Sequence, residues 1–241
     1  AAPEKLLHGC RDMQDFALYS FDPPGDVAAL RADLRSWLAV HQPQGDIVKR
    51  ANCWASFDVD FSHALGAAGY IGMTLPARYG GGDRHPLERY VVIEELLAAG
   101  APVGAHWIAD RQTGPLILRY GSEEQRHRYL PGIARGELYA CIGLSEPGAG
   151  SDLAAVRTTA RETVEGWRIN GQKIWTTGAH LSHVMLALVR TEEGSERNAG
   201  LSQLLVDLDT PGITIRPIID MAGNHDFNEI FFDDVLVPNG A

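Results

Sequence analysis

Cysteine is scarce in this sequence, and its few copies form no pattern that indicates a metal site or a disulfide framework. The three cysteines, Cys10, Cys53 and Cys141, are widely separated and include no CxxC pair. This spacing argues against zinc-finger and redox-pair chemistry and is typical of a reducing compartment. Long apolar runs are also lacking, because no segment approaches the ~18 apolar residues that cross a bilayer. Residues 1–20 contain no basic cluster followed by an apolar run, so we expect a soluble cytoplasmic protein.

Positive charge is also in short supply. Lysine and arginine number 21 against 31 aspartates and glutamates, which gives a formal net charge of −10. Such a chain repels nucleic acid and anionic membrane surfaces, so we expect neither as a partner. If the ligand is itself an anion, such as a pyrophosphate cofactor, local backbone amides and a few placed side chains must hold it.

Helical periodicity dominates the first half of the chain. Leu30, Leu34 and Leu38 recur at helical spacing after Asp26, which can cap the first turn. The segment 103–120 is more uniformly apolar, which predicts a helix buried between others. We predict the other helices at residues 61–68, at residues 86–100, and from residue 122 onward, where Pro131 kinks or shortens the last one.

Near Gly136 the apolar period changes from about 3.6 residues to about 2, which predicts strands. Asn170-Gly171, between two of these strands, predicts a tight two-residue hairpin. Short strands separated by turn residues are typical of an antiparallel sandwich or barrel. We predict strands at residues 138–144, 156–162, 166–170, 172–177, 183–189, 201–206, 213–219 and 228–236.

The expected fold class is therefore α+β, an N-terminal all-α helical domain followed by an antiparallel β-sandwich or barrel domain. We divide the chain into a leader (residues 1–25), a helical domain (26–135) and a β domain (136–241).

Residues 144–152 read Leu-Ser-Glu-Pro-Gly-Ala-Gly-Ser-Asp and form the first candidate ligand loop. The glycines let backbone amides approach a ligand closely, and Ser145 and Ser151 can donate hydrogen bonds to it. The loop is not a Rossmann fingerprint, because Leu153 stands where the third glycine belongs. On its own it indicates either a flavin or phosphate loop or an ordinary connection between strands.

Residues 170–179 form the second candidate, and Trp175 is its most distinctive side chain. An isolated tryptophan on a strand more often packs in a core than against a ligand, so both interpretations stay open for this segment alone.

Several motifs together resemble the acyl-CoA dehydrogenase family. The resemblance runs from about residue 26 to residue 241 without large gaps. The sequence of residues 226–229, Asp-Phe-Asn-Glu, further resembles that of the bacterial branch of the family that degrades fatty acids and sterol side chains. The motifs are Leu75-Pro76 with Tyr79-Gly80-Gly81, residues 121–131, the loop 145–152, residues 169–177, and Phe231-Phe232-Asp233-Asp234-Val235-Leu236-Val237-Pro238.

This resemblance implies a flavin site on matching positions. The Ser145 hydroxyl and the Leu144 backbone would bind the pyrimidine edge of FAD, Trp175 would pack on the ring, and Thr177 would bond near N5. Ile142 stands where the family usually has an aromatic residue, so packing at this edge is expected to differ.

The resemblance also implies a thioester substrate, acyl-CoA, whose α,β-dehydrogenation gives the trans-2-enoyl-CoA with FAD as hydride acceptor. Gly150 and Ser151 would line the flavin phosphate and the thioester entrance. Trp107 and Arg111 would border the acyl tail, although helix packing for Trp107 and a surface ion pair for Arg111 are equally open.

No residue is predicted to be the catalytic base. Glu146 and Asp152 are interpreted as structural carboxylates that accept loop amides. By resemblance the base belongs to a C-terminal helical bundle beyond residue 241, which also carries subunit contacts. His180 and His183 could face one metal ion, but no third ligand is near them in sequence, so no metal site is predicted.

Three functions follow from the resemblance. The preferred one is an FAD-dependent acyl-CoA dehydrogenase of fatty-acid and lipid degradation, inactive as the isolated chain. It would form homo- or hetero-oligomers and pass electrons to an electron-transferring flavoprotein or a similar acceptor. The alternatives are a non-catalytic FAD-site subunit of a hetero-oligomeric dehydrogenase, and a flavin monooxygenase or oxidase on the same scaffold.

Overall fold

The structure is a computed structural model that describes residues 26–41, 43 and 45–240. The predicted leader, residues 1–25, lies outside the described residues. Within them the chain forms helices first and strands second, as the sequence predicts. No helix in this part of the chain is both long and apolar enough to cross a bilayer. Its α-helices are α1 Val27–Val40, α2 Ile47–Ala51, α3 Val59–Ala67, α4 Pro86–Ala98, α5 Gly104–Ile108, α6 Gly114–Tyr120 and α7 Glu123–Ala134.

The first helix begins and packs as its sequence pattern predicts. The Asp26 side chain accepts a hydrogen bond from the backbone N–H of Ala29, which caps α1. Leu30, Leu34 and Leu38 are buried along one face. They join a hydrophobic cluster with residues from α3 and α4, so the spacing of these leucines decides where α1 lies.

The predicted helix at 103–120 is interrupted by a π-helical turn, Ala109–Thr113, between α5 and α6. Pro115 has no N–H and clashes with the carbonyl four residues earlier in a regular α-helix. The wider turn relieves this conflict, and the N–H of Gly114 bonds to the carbonyl of Ala109. The buried helix is therefore present, but it has an irregularity that its apolar pattern does not reveal. Pro131, by contrast, lies inside α7, which continues to Ala134.

The strands form one seven-stranded mixed sheet that curls into a half-barrel. Its path is β1-β4-β2-β3-β7-β6, and β5 pairs with β4. Most pairs are antiparallel as predicted, but β1 and β2 both run parallel to β4. These two strands lie end to end along one edge of β4. The strands are β1 Ala140–Gly143, β2 Thr159–Thr163, β3 Gly166–Thr177, β4 Val184–Arg190, β5 Leu201–Asp207, β6 Ile213–Ile218 and β7 Phe227–Pro238.

Strand β4 separates two hydrophobic clusters because its side chains alternate between the faces of the sheet. Val184 and Leu186 face α6 and α7, where they pack with Ile117 and Leu130. Met185, Ala187 and Val189 point to the other face and pack with side chains of β5 and β7. The helices and the sheet thus share the first of these clusters, and the second lies on the opposite face of the sheet.

The predicted hairpin at Asn170-Gly171 is wrong, because β3 runs through both residues without turning. They form an irregularity where β3 pairs with β7. The Asn170 side chain accepts a hydrogen bond from the N–H of Asp234 at 3.0 Å. A Cβ on Gly171 would lie 2.6 Å from Thr158 Oγ1, so glycine is needed for close approach of chain segments rather than for a turn.

The change from helix to strand falls between Ala134 and Ala140. Gly136 lies in this link with a φ of +69°. The placing of a domain boundary at residue 136 stays a prediction.

His106 on α5 is the basis of a prediction about pH-dependent stability. It is buried, and its Nδ1 lies 2.8 Å from Ser62 Oγ. Burial lowers the pKa of His106 from 6.5 to about 3. Below pH 6.5 this histidine therefore binds a proton in the unfolded chain but stays neutral in the folded chain. This difference removes stability as the pH falls, at up to about 1.4 kcal/mol per pH unit.

His106→Asn keeps an acceptor for Ser62 but does not titrate. We therefore expect the free energy of unfolding of this variant to fall less steeply below pH 6.5, the acid limb of the stability curve, than that of the wild type. Urea unfolding at a series of pH values measures this. His63→Gln, an exposed change on α3, is the control and should leave the limb unchanged. Equal acid limbs for His106→Asn and the wild type would contradict the prediction.

Candidate active site

The loop that follows β1 is fastened to β3 at three successive residues. The Leu144 carbonyl accepts from Lys173 Nζ at 3.2 Å, and the Ser145 carbonyl accepts from the N–H of Ile174 at 2.9 Å. The Glu146 carboxylate, the third anchor, bonds to Lys173 Nζ at 2.8 Å. The two segments singled out in the sequence are therefore neighbours in space.

The ion pair between Lys173 and Glu146 is buried. Their side chains are 0% and 7% exposed. The carboxylate also accepts from the backbone N–H groups of Arg157 and Thr158, at 2.7 and 2.9 Å. Burial by itself would raise the pKa of Glu146, but the hydrogen bonds, led by that from Lys173, lower it overall. Glu146 is thus an ionised structural anchor, as its position in the loop predicted.

The glycines of the loop face open space. A Cβ on Gly148 or Gly150 would meet no atom within 4 Å. Neither glycine has a positive φ, so the backbone conformation does not require them either. Glycine at these positions leaves room for a group outside the described residues to approach the backbone. The hydroxyls of Ser145 and Ser151 bond to no group in the part of the chain that the structure describes, and both remain available to a ligand.

Trp175 lies where β3 departs from regular pairing with β7, between Lys173 and Thr176. Its φ is +59°, a conformation that is unusual and strained for a bulky residue. Its side chain is 58% exposed and meets Phe227 edge-on, with ring centroids 6.1 Å apart. Packing of Trp175 in a core, the alternative open from the sequence, is therefore wrong. The strand is bent in a way that presents this ring to its surroundings.

A cavity lies next to Thr177, between the sheet and α5, and its volume is about 110 Å³. Thr177 and Ala140 line it from the sheet, and Ile108 lines it from α5. Thr177 lies three residues beyond Ile174, which is bonded to Ser145, so about 10 Å of strand separates the two predicted ligand contacts. The sheet thus brings the two candidate segments to one region.

Other predicted site residues occupy different places. Ile142 is half-buried and packs against the cluster below α6 and α7. Leu144 is half-buried, and its carbonyl is occupied by Lys173. Trp107 packs on the cluster around α1, and the Arg111 guanidinium lies 4.3 Å from the centre of its ring. The cavity beside Thr177 is lined by neither Trp107 nor Arg111. Their role at an acyl tail stays a prediction.

Several residues of this region were missed from the sequence. Lys173 stood within a predicted segment, but nothing in its spacing showed a carboxylate partner. His225 and Phe227 also line the cavity, together with Trp54 and Phe57 from the helical part, and so does His180, which was considered from the sequence only for a metal ion. These residues come from distant stretches of the chain, so no local pattern joins them. For the part of the cavity near β7, the one local pattern in the sequence was the run Asp226-Phe227-Asn228-Glu229.

The two histidines considered for a metal ion are used separately. His183 Nδ1 accepts from the N–H of Tyr139 at 3.1 Å, whereas His180 bonds to Asn228. Among the residues that the structure describes, no group of three or more His, Cys, Asp or Glu side chains could hold a metal ion.

The Lys173–Glu146 pair gives a prediction about the stability of the site. Lys173→Met leaves a buried carboxylate without its cation, which costs about 3–5 kcal/mol. We expect the double change Lys173→Met with Glu146→Gln to cost much less than the sum of the single changes, because it removes both charges. Urea unfolding measures all three. Arg161→Gln breaks an exposed ion pair with Glu193 and should change the free energy of unfolding by less than about 1 kcal/mol. Additive costs for the single changes would contradict the prediction.

Comparison with known proteins gives a consistent result. A family model described as "Acyl-CoA dehydrogenase, N-terminal domain" matches residues 26–137, and one described as "Acyl-CoA dehydrogenase, middle domain" matches residues 141–235. Acyl-CoA dehydrogenase IpdE1 of Mycobacterium tuberculosis is 40% identical over 223 residues, covering 87% of this chain and 56% of that protein. The chain thus spans just over half the length of this curated relative.

Solved structures agree with this result. One described as "Tcur3481-Tcur3483 steroid ACAD" superimposes with a TM-score of 0.80 at 30% identity, over 92% of this chain and 58% of that one. The ChsE4-ChsE5 complex from Mycobacterium tuberculosis gives a TM-score of 0.79 at 32% identity, over 92% and 57% of the two chains. On the strength of both matched domains, this chain belongs to the acyl-CoA dehydrogenase family.

Proposed function

We propose that this chain forms one wall of the flavin and acyl-thioester sites of an FAD-dependent acyl-CoA dehydrogenase. The reaction would be α,β-dehydrogenation of an acyl-CoA to the trans-2-enoyl-CoA. The observation that carries the proposal is the fastening of the loop 145–152 to β3 beside the exposed, left-handed Trp175. Membership in the family supports it.

The described residues fit a flat, polar-edged cofactor such as FAD. FAD, when bound, supplies the hydride-accepting chemistry. The Ser145 hydroxyl and nearby backbone amides would hold the pyrimidine edge, and Trp175 would cover part of the ring. Thr177 would donate a hydrogen bond near N5, and Gly150 and Ser151 would line the phosphate. The rigid Lys173–Glu146 anchor would keep these groups in place before the ligand arrives, which lowers the entropic cost of binding.

The substrate side would be built from the cavity beside Thr177 and from α5. Ile108 and Phe227 give the cavity an apolar lining suited to a hydrocarbon group. We propose that Ser151 lies at the thioester entrance and that Trp107 and Arg111 border the acyl tail. Removal of the α-proton and of the β-hydride needs close alignment of the substrate, which is a positioning task for these walls.

The catalytic base would come from outside this wall. Glu146 is held by Lys173 and two backbone amides, so it cannot move to a substrate. Asp226 is the one carboxylate residue among the described residues that line the cavity. We assign it no proton transfer, because the resemblance gives the base to a separate helical bundle.

A second candidate is a non-catalytic subunit that completes the flavin site of a hetero-oligomeric dehydrogenase. Two structural neighbours, the ChsE4-ChsE5 complex and the Tcur3481-Tcur3483 protein, are each named as a pair of polypeptides. These names favour the subunit alternative. In either case we propose assembly into homo- or hetero-oligomers and electron transfer to an electron-transferring flavoprotein or a similar acceptor.

Flavin bleaching tests the preferred function. The protein is purified from its source together with any chain that associates with it, and acyl-CoA thioesters are added without oxygen. Loss of the visible flavin absorbance with formation of enoyl-CoA is expected, and it should persist in Asp226→Asn. An unchanged spectrum across a panel of thioesters would contradict the dehydrogenase proposal. Retention of a second chain that carries the base would favour the subunit alternative.

The loop glycines give a prediction that separates binding from folding. Gly150→Ala adds a methyl group that meets nothing in the described chain, so the free energy of unfolding should stay within about 1 kcal/mol of the wild type. The same methyl group would block a ligand that lies against the backbone. We therefore expect the affinity for FAD, measured by equilibrium dialysis, to fall at least about tenfold.

Gly143→Ala is the matched control for this change. Its Cβ would lie 2.5 Å from Met185 Sδ inside the sheet, so it should lower the stability itself. Unaltered FAD affinity in Gly150→Ala would contradict a ligand at the loop.

A further inference from the structure

A buried amide lies between two histidines at the end of β3, outside the residues that the sequence assigned to the site. Asn228 on β7 is 0% exposed and pairs with Thr176 of β3. Its Nδ2 lies 3.1 Å from the Thr176 carbonyl and 3.1 Å from His180 Nδ1. Its Oδ1 lies 2.7 Å from His225 Nε2. The two imidazole rings stack on each other with centroids 3.7 Å apart.

This geometry fixes the protonation of both rings. The Thr176 carbonyl can only accept, so the amide nitrogen of Asn228 must face it. The same nitrogen donates its second hydrogen to His180, so Nδ1 of His180 carries no proton. The Asn228 oxygen accepts from His225, so Nε2 of His225 does carry one. Every polar atom of the amide is thereby used in a fully buried position, which is a demanding arrangement.

The cluster lies at the irregularity that presents Trp175. Thr176, whose carbonyl Asn228 holds, is the next residue after Trp175, and the register of β3 against β7 shifts between Lys173 and Thr176. The following residue, Thr177, lines the cavity that His180 and His225 also line. On the other side, the N–H of Gly178 bonds to the Asp226 carbonyl at 2.9 Å. The irregular end of β3 is thus held by contacts with β7 and with the residue that precedes it.

We infer that Asn228, clamped between His180 and His225, is a positioning residue that holds the irregular end of β3, residues 175–177, in place for the flavin ring, and that a proton on Nδ1 of His180 releases this segment. The inference rests on the proposed function, because the flavin is part of that proposal. A protonated Nδ1 would face the amide nitrogen, donor against donor. Rotation of the amide would then set its oxygen against the Thr176 carbonyl, so neither orientation keeps all three bonds.

The surroundings place this change in the acid range. Burial and the neighbouring His225 lower the pKa of His180 below its ordinary value of 6.5. Protonation of His180, and the loss of the clamp, therefore fall below pH 6.5. The titratable and charged groups that line the two cavities beside His180 are His225 and Asp226 in the first, and Arg128, Tyr129, His183, Asp207 and Asp209 in the second.

Matched asparagine changes test the positioning role. Asn228→Asp keeps the shape and the acceptor for His225 but removes both donors, so we expect FAD affinity at about pH 8 to fall at least tenfold. Asn170→Asp is the control, since Asn170 serves only as an acceptor at the other irregularity of the same strand pair. It should change the affinity less than about twofold. Both are measured by equilibrium dialysis with FAD and the protein purified together with any chain that associates with it.

A second variant tests the role of the proton and does not depend on the folding of Asn228→Asp. His180→Asn places an amide oxygen where Nδ1 was, so it still accepts from Asn228 but cannot titrate. The FAD affinity of the wild type should fall as the pH goes below 6.5, whereas that of His180→Asn should stay level. Equal pH profiles would overturn the inference, because a merely structural histidine gives no such difference.

Nitrogen NMR of the histidine rings provides a readout without flavin. At about pH 8 we expect His180 with an unprotonated Nδ1 and His225 with a protonated Nε2. A protonated Nδ1 on His180 would overturn the inference and leave the proposed function intact, as would wild-type FAD affinity in Asn228→Asp. Failure of the wild-type protein, purified with any chain that associates with it, to bind FAD at any pH would overturn the inference and the proposed flavin site together.

Discussion

The buried ion pair of Lys173 and Glu146 is the constraint on which the rest of the site depends. It joins the loop after β1 to the middle of β3, two segments that share no direct strand pairing. Burying two charges is unfavourable unless their geometry is good and their remaining hydrogen-bonding capacity is used. Here the carboxylate has two backbone amides besides the ammonium, and the ammonium has the Leu144 carbonyl besides the carboxylate. These partners make the pair a fixed point of the site.

From that fixed point the strand continues into less regular geometry. Beyond Lys173 the pairing with β7 shifts, and Trp175 adopts a left-handed conformation with an exposed ring. Strain of this kind persists only where neighbouring contacts determine it. The ion pair holds one end of the irregular stretch, and Asn228 holds the other through Thr176. A stretch held at both ends can carry an unfavourable backbone conformation without passing it on to the sheet.

How much of this was predictable depends on whether the signal was local. The cap at Asp26, the apolar face of α1 and most strands follow from nearest-neighbour patterns, and they were placed correctly. The predicted hairpin at Asn170-Gly171 was wrong because the same dipeptide suits both a turn and a close approach between segments. Only the contact of Gly171 with Thr158, thirteen residues earlier, distinguishes the two. The parallel pairing of β1 with β4 and the partner of Lys173 are also long-range facts. No short window of sequence contains them.

The end-to-end arrangement of β1 and β2 on one edge of β4 has a consequence for the folding of the chain. Tyr139, the residue before β1, donates its backbone N–H to His183, 44 positions later, so this edge joins distant parts of the chain. Contacts across such a separation close a large loop, and the chain entropy lost must be offset by packing. The ligand-facing loop leaves β1 and re-enters the sheet at β2, so both of its ends are anchored on β4. The loop can therefore take its native shape only after β4 has paired with both strands.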